Sequence, residues 1–116
     1  MSVNNSPSRD KLRGMIGLAM RAGRLIPGTE QVTVALRSRG RVCLVLLSEG
    51  ASENTVKKVV GKCEYYGVQL RRTEVSAAEL GDWIGKSYGP MCVGITDAGF
   101  AGQINRILDL LEEHPG

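Results

Sequence analysis

The sequence predicts an α/β layered domain with helices on both faces of a mixed sheet. Three observations carry that expectation. Helical and extended patterns alternate along the whole chain, the signature of a layered α/β fold. The run Arg41-Val42-Cys43-Leu44-Val45-Leu46-Leu47 is short and apolar on both faces, as a central strand covered from both sides must be. With 116 residues, 42% of them hydrophobic, the chain has material for a single core, and a domain of this size folds without disulfides or a structural metal. Neither an internal repeat nor a low-complexity tract interrupts it.

Residues 1–7 are polar, contain Pro7 and show no period, so a disordered tail is expected there, followed by one domain over 8–113 and a second tail at 114–116. Ser8 is the expected N-cap of a first helix, with Asp10 in the first turn, where negative charge complements the helix dipole. Leu12, Met15, Ile16, Ala19 and Met20 then form one buried stripe, and Gly23 closes the helix. Leu25 and Ile26 make a short extended piece before Pro27, which disfavours helix in the residue ahead of it.

Gly28 opens a second helix. At about 100° per residue, Val32, Ala35 and Leu36 fall on one side, and Glu30, Val34 and Arg37 on the other, with Gln31 at the edge. After the apolar strand, Ser48-Glu49-Gly50-Ala51 reads as a turn and Ser52 as the cap of a third helix. That helix buries Val56, Val59, Val60 and Cys63 and shows Lys57, Lys58 and Lys62 to water. Tyr65-Tyr66-Gly67 ends it, and Val68 to Thr73 forms the next strand. Ser76-Ala77-Ala78-Glu79 has the spacing of a capping box and starts a short helix through Leu80, Trp83 and Ile84, stopped by Gly85. Lys86-Ser87-Tyr88-Gly89-Pro90 is a loop, Met91 to Thr96 a strand, and Asp97-Ala98-Gly99 leads into a last helix with the stripe Phe100, Ile104, Ile107, Leu108 and Leu111. Residues 112–116 are expected to fray.

Charge is unevenly spread. Residues 1–42 carry eight Lys or Arg against Asp10 and Glu30, whereas the remainder carries seven basic and ten acidic groups. A basic half of this kind is the electrostatic footprint of a protein that meets polyanions. Cys43, Cys63 and Cys92 are odd in number and widely spaced, and His114 is the single histidine, so neither a disulfide framework nor a zinc site is supported. Buried thiols in a reducing cytosol are the expectation. No apolar run approaches the roughly 18 residues of a membrane span, and MSVNNSPSRD has no apolar core of a secretory signal, so cytoplasmic residence is expected.

Phosphate cradles of the G-x-G-x-x-G and G-x-x-x-x-G-K-[ST] kinds are missing, as is a G-x-S-x-G elbow. Glu49 and Asp97 follow strands, where catalytic carboxylates often lie, yet turn and cap duty explains them equally well. No convergent site is assembled, so the chain is expected to be no enzyme and to use no cofactor or metal.

The strings GLAMRAGRLIPGTEQV (17–32), LVLLSEGASENTVKKV (44–59), CEYYGV (63–68) and ELGDWIGKSYGPMCVGITDAGF (79–100) occur in an order that resembles the bacterial branch of the kink-turn RNA-binding ribosomal-protein family, the L-seven-Ae / L-thirty-e superfamily. The similarity runs from Lys11 to Leu111. It implies a single-domain, three-layer α-β-α sandwich with a four-stranded mixed sheet, acting as a monomer on structured RNA, a kink-turn or ribosomal RNA, with the ribosome as a further partner.

In that family the second helix begins G-x-N-E-x-x-K and addresses tandem sheared G·A pairs, while the loop before the last strand packs on an extruded base. Gly28 matches the glycine, followed by Thr29. Glu30 stands at the Asn, Gln31 at the Glu and Val34 at the Lys. Glu49 matches an acidic residue after the central strand, and Lys86, Ser87, Tyr88, Gly89 and Pro90 match the base-packing loop. Ionised Glu30 only accepts hydrogen bonds, so it is repelled by guanine N7 and O6, which are acceptors too. Val34 removes a cation, worth about one phosphate contact in the salt-dependent part of affinity. Arg21, Arg24, Arg37 and Lys86 are the candidate compensating cations, and the free N–H groups at Gly28 a natural phosphate site. The alternative implied by these departures is a protein-interaction adaptor of the translation or transcription machinery on the same fold.

Overall fold

The structure, a computed structural model, describes residues 6–113. Five helices and four strands follow one another as α1 (Pro7–Arg21), β1 (Leu25–Pro27), α2 (Thr29–Leu36), β2 (Leu44–Glu49), α3 (Glu53–Tyr66), β3 (Gln69–Ser76), α4 (Ala77–Trp83), β4 (Cys92–Ile95) and α5 (Ala98–Glu113). The sheet order is β1-β4-β2-β3, with β2 and β3 parallel and β4 antiparallel to both its neighbours. The expected four-stranded mixed sheet is thus present, and Pro27 sits in an edge strand, where a missing N–H costs no ladder bond.

Alternation along β2 builds two cores. Leu44 and Leu46 point into a cluster with Leu12, Ile16, Leu80, Ile104 and Leu108 of α1, α4 and α5. Val45 and Leu47 point the other way, onto Val32, Leu36, Val59 and Cys63 of α2 and α3. Three layers result, as the period-two geometry of a doubly covered strand requires. Burial raises the thiols of Cys63 to about 11 and of Cys92 to about 12, so these two behave as small hydrophobes. Cys43, expected to be buried with them, is only half-buried.

Several boundaries differ from expectation. Ser6, not Ser8, caps α1 by accepting the Arg9 N–H at 3.0 Å, and Pro7 occupies the first turn. Pro suits that position because its missing N–H would find no helical partner there. The expected tail over 1–7 therefore loses Ser6 and Pro7 to the helix, and its first five residues lie outside the described ones. Strand β2 starts at Leu44 and continues through Ser48 and Glu49, expected to be a turn, because the Ser48 N–H finds the Met91 carbonyl at 2.9 Å. Strand β3 runs on past Thr73 to Ser76. The β2–β3 register slips between Leu47 and Glu49, where the Thr73 hydroxyl donates to the Leu47 carbonyl at 2.9 Å.

At the C-terminal end α5 persists to Glu113 rather than fraying from 112; the expected tail at 114–116 lies outside the described residues. Arg71 ties β3 to this helix, donating to Asp109 at 2.7 Å and Glu112 at 2.8 Å. The Ser76–Glu79 capping box forms as expected, and Glu79 also takes a hydrogen bond from Arg9, whose guanidinium lies 5.6 Å over the Trp83 ring.

Candidate nucleic-acid interface

The antiparallel pairing of β1 with β4 sets Pro27 opposite Val93, so the chain reaches Gly28 beside the start of β4. There the Gly28 N–H donates to the Cys92 carbonyl at 2.8 Å. Gly28 has φ 104° and ψ 140°, a conformation that side chains disfavour, and the Gln31 carboxamide occupies the space a Cβ would need. The backbone angle is what requires glycine, since the flexible Gln31 side chain could move aside. No side chain caps α2, so its first N–H groups point outward without a local acceptor, the arrangement that favours an anion.

Along α2 the outward face is as the spacing predicts. Glu30, Gln31 and Arg37 are exposed and Val34 is 54% exposed, while Val32, Ala35 and Leu36 are buried. Thr33 is buried as well, its hydroxyl donating to the Glu30 carbonyl at 2.8 Å. Glu30 is not a bare anion: its carboxylate receives Lys58 Nζ of α3 at 3.1 Å. A shallow groove of about 380 Å³ runs beside the helix, lined by Ile26, Glu30, Gln31, Val34, Ala35 and Arg41.

The loop from Lys86 to Pro90 is fixed by close backbone approach rather than by its side chains. The Lys86 N–H donates to the Gly81 carbonyl at 2.9 Å. A Cβ on Gly81 would strike the Tyr88 carbonyl, and one on Gly89 would meet the Ala77 carbonyl at 2.5 Å. Pro90 is buried, which leaves Lys86, Ser87 and Tyr88 on the surface, Tyr88 with half its area exposed. The loop then hands over to β4 at Met91, whose carbonyl takes the N–H and, at 3.1 Å, the hydroxyl of Ser48. Exposed Glu49 follows directly.

The fold therefore gathers Gly28, Thr29, Glu30, Gln31, Glu49 and the loop Lys86 to Pro90 at one end of the sheet, with Val34 one turn further down α2. It does not bring Arg21, Arg24 and Arg37 there. The Arg24 carbonyl receives the Thr96 N–H at 3.0 Å, at the opposite end of β4 from Met91. Arg37 caps the far end of α2, about 12 Å from its start at 1.5 Å per residue.

Two other cations border the surface: Lys58, paired with Glu30, and Arg41, which enters the groove from just past the far end of α2. Lys58 lies 28 residues from Glu30 in sequence, so no local spacing announces the pair. Arg41 enters the basic count of the first half but nothing sets it apart from Arg37 and Arg39. Among the described residues no cluster of His, Cys, Asp or Glu is disposed to hold a metal ion, and no helix is long and apolar enough to cross a membrane.

Residues 10–105 match the sequence pattern of the Ribosomal protein L7Ae/L30e/S12e/Gadd45 family. The chain is 44% identical over 95 residues to the RNA-binding protein YlxQ of Bacillus subtilis (strain 168), covering 82% of this chain and 92% of that protein. It is 42% identical over 106 residues to the RNA-binding protein YlxQ of Enterococcus faecium, covering 90% and 98%. Among solved structures, a protein of unknown function from Bacillus halodurans superposes with a TM-score of 0.78 at 36% identity, over 85% of this chain and 97% of that one. The Giardia lamblia 15.5kD RNA binding protein shares the fold, with a TM-score of 0.72 at 18% identity over 94% and 91%.

Proposed function

The chain belongs to the Ribosomal protein L7Ae/L30e/S12e/Gadd45 family, and from that premise we propose that it binds structured RNA, specifically a kink-turn or related internal loop, without catalysing a reaction on it. The observation that carries this reading is the joining of the uncapped start of α2 to the start of β4, where the Lys86–Pro90 loop arrives, through the Gly28–Cys92 hydrogen bond. One end of the sheet thereby presents, on rigid backbone, free N–H groups for a phosphate, the Gln31 amide for base edges and the Tyr88 ring for an unpaired base.

Glu30, held by Lys58, keeps its charge compensated beside the RNA instead of confronting guanine acceptors. Lys86 and Arg41 supply cations at either side of this surface. Recognition of this kind reads shape and non-Watson–Crick pairs, not linear sequence. The protein acts as a cytoplasmic monomer on ribosomal RNA or another kink-turn, with the ribosome as a site of action; the names of its YlxQ relatives support the RNA partner.

The test is fluorescence anisotropy with a kink-turn RNA and with a copy whose sheared G·A pairs are replaced by Watson–Crick pairs, at low and moderate salt. A preference for the kink-turn that survives added salt is expected. Equal, salt-sensitive binding to both would reduce the interaction to phosphate attraction, and no binding would favour a protein-interaction adaptor that uses exposed Val34 and the groove beside it.

A further inference from the structure

The outer face of α3 carries a second surface that the kink-turn reading leaves unused. A shallow trough of about 520 Å³ is lined by Lys58, Gly61, Lys62, Tyr65 and Tyr66. Tyr65 is 73% exposed, more than any other large apolar or aromatic side chain among the described residues. It meets Tyr66 edge-on, with ring centroids 4.9 Å apart and planes at 88°, so its orientation is set while its ring stays open to solvent. Arg39 lies over the Tyr66 ring at 5.6 Å, adding a cation beside the lysines. No carboxylate lines the trough; Glu53 and Glu64 sit on the other flank of the helix, about 100° away from Tyr65 or more.

Gly61 shapes the floor of the trough. It stands mid-helix, where glycine is the least favourable residue after proline, and nothing lies within 4 Å of where its Cβ would be. Neither backbone conformation nor packing within the protein calls for it. It opens a notch between Lys58, one turn before, and Tyr65, one turn after, through which a ligand can approach the helix backbone.

We propose that this trough holds a single-stranded RNA segment continuous with the RNA seated at the start of α2, with an unpaired base stacked on Tyr65 and its phosphates against Lys62 and Arg39. Charge selects a polyanion, and an open aromatic ring selects a strand with unpaired bases over a duplex, whose base faces are stacked away. Lys58 joins the two surfaces, since it both lines the trough and holds Glu30 of α2. Continuity with the bound RNA rests on the kink-turn reading; the stacking site on α3 does not.

The test compares, by anisotropy, a kink-turn RNA with and without a six-nucleotide single-stranded extension at either end, together with the free six-nucleotide strand at low salt. One extension is expected to tighten binding about tenfold, the scale of one stacked base. Tyr65→Ala should erase that gain and the weak binding of the free strand while leaving the unextended RNA unaffected, and Tyr65→Phe should keep all three. Gly61→Ala should raise Tm by about 4 °C through helix propensity and still reduce the gain. Free-strand binding that depends on Tyr65 alongside an unextended RNA that fails to bind would sink the kink-turn reading and keep the α3 site. A gain that survives both Tyr65→Ala and Gly61→Ala, or no gain and no free-strand binding at all, would overturn the α3 site itself.

Discussion

The two faces of the sheet are built to different ends. On one, α1, α4 and α5 form a closed cover in which Leu44, Leu46 and Val93 are sealed, and ion pairs lock its margins: Arg9 to Glu79, Arg71 to Asp109 and Glu112. On the other, only α2 and α3 cover the sheet, and they leave Val34 and Tyr65 standing in water beside two grooves. Of the six large apolar or aromatic side chains exposed among the described residues, Val34 and Tyr65 lie on this thinner side, Tyr88 and Met91 on the segment between α4 and β4, and Leu18 and Leu110 on the closed face. The closed face carries the ion-paired margins, and the thinner face carries the candidate recognition surfaces.

Substitution should separate the closed core from the exposed candidate surface most sharply. Leu46→Ala, at a side chain 1% exposed under the three-helix cover, is expected to cost about 2–5 kcal/mol in urea melts, from lost burial and the cavity left behind. Val34→Lys on α2 should stay within about 0.5 kcal/mol. Equal costs would erase the distinction. Next in size is Gly89→Ala, which drives a Cβ into the Ala77 carbonyl; it should cost about 1–3 kcal/mol and weaken RNA binding by displacing the Tyr88 loop, read by melts and anisotropy together.

The recognition side can be sharpened directly. Glu30→Asn with Val34→Lys restores the family's polar pair and adds a cation, so kink-turn affinity should rise about tenfold and the salt slope steepen by about one. Unchanged binding would count against this helix as the reader. The smallest effect belongs to the closed face and to acid. Hydrogen bonds from Arg9, then from the Ser76 backbone, hold the Glu79 carboxyl below the usual carboxylate range. A depressed pKa contributes stability that is present above the unfolded value near 4.3 and is lost as pH falls through the folded value. Glu79→Gln should therefore flatten the acid limb of the urea midpoint below pH about 4.5 and leave kink-turn binding at pH 7 unchanged.

Much of the fold was legible because its signals are local. Helix stripes, the capping box at Ser76 and the doubly apolar strand each depend on residues within one or two turns of one another. The N-cap is Ser6 and not Ser8, two serines that flank Pro7 and that only the preference of Pro for the first helical turn separates. Strands β2 and β3 run past the C-terminal ends of their apolar segments because Ser48 pairs with Met91 and Thr73 with Leu47, partners that hydropathy does not reveal.

The candidate site was half legible for the same reason. Gly28, Gln31 and the Lys86 to Pro90 loop follow from local motif, but Arg21 and Arg24, close to Gly28 in sequence, are carried away by β1, which spans the sheet between them. Conversely, Lys58 arrives from another helix by tertiary packing alone.

The most direct measurement is a backbone-amide NMR titration of the protein with a kink-turn RNA. Shifts concentrated at Gly28 to Val34, Glu49 and Lys86 to Met91, with α1 and α5 unmoved, are the predicted result. Shifts centred instead on Arg21, Arg24 and Thr96 would place the RNA at the opposite end of the sheet and contradict the account.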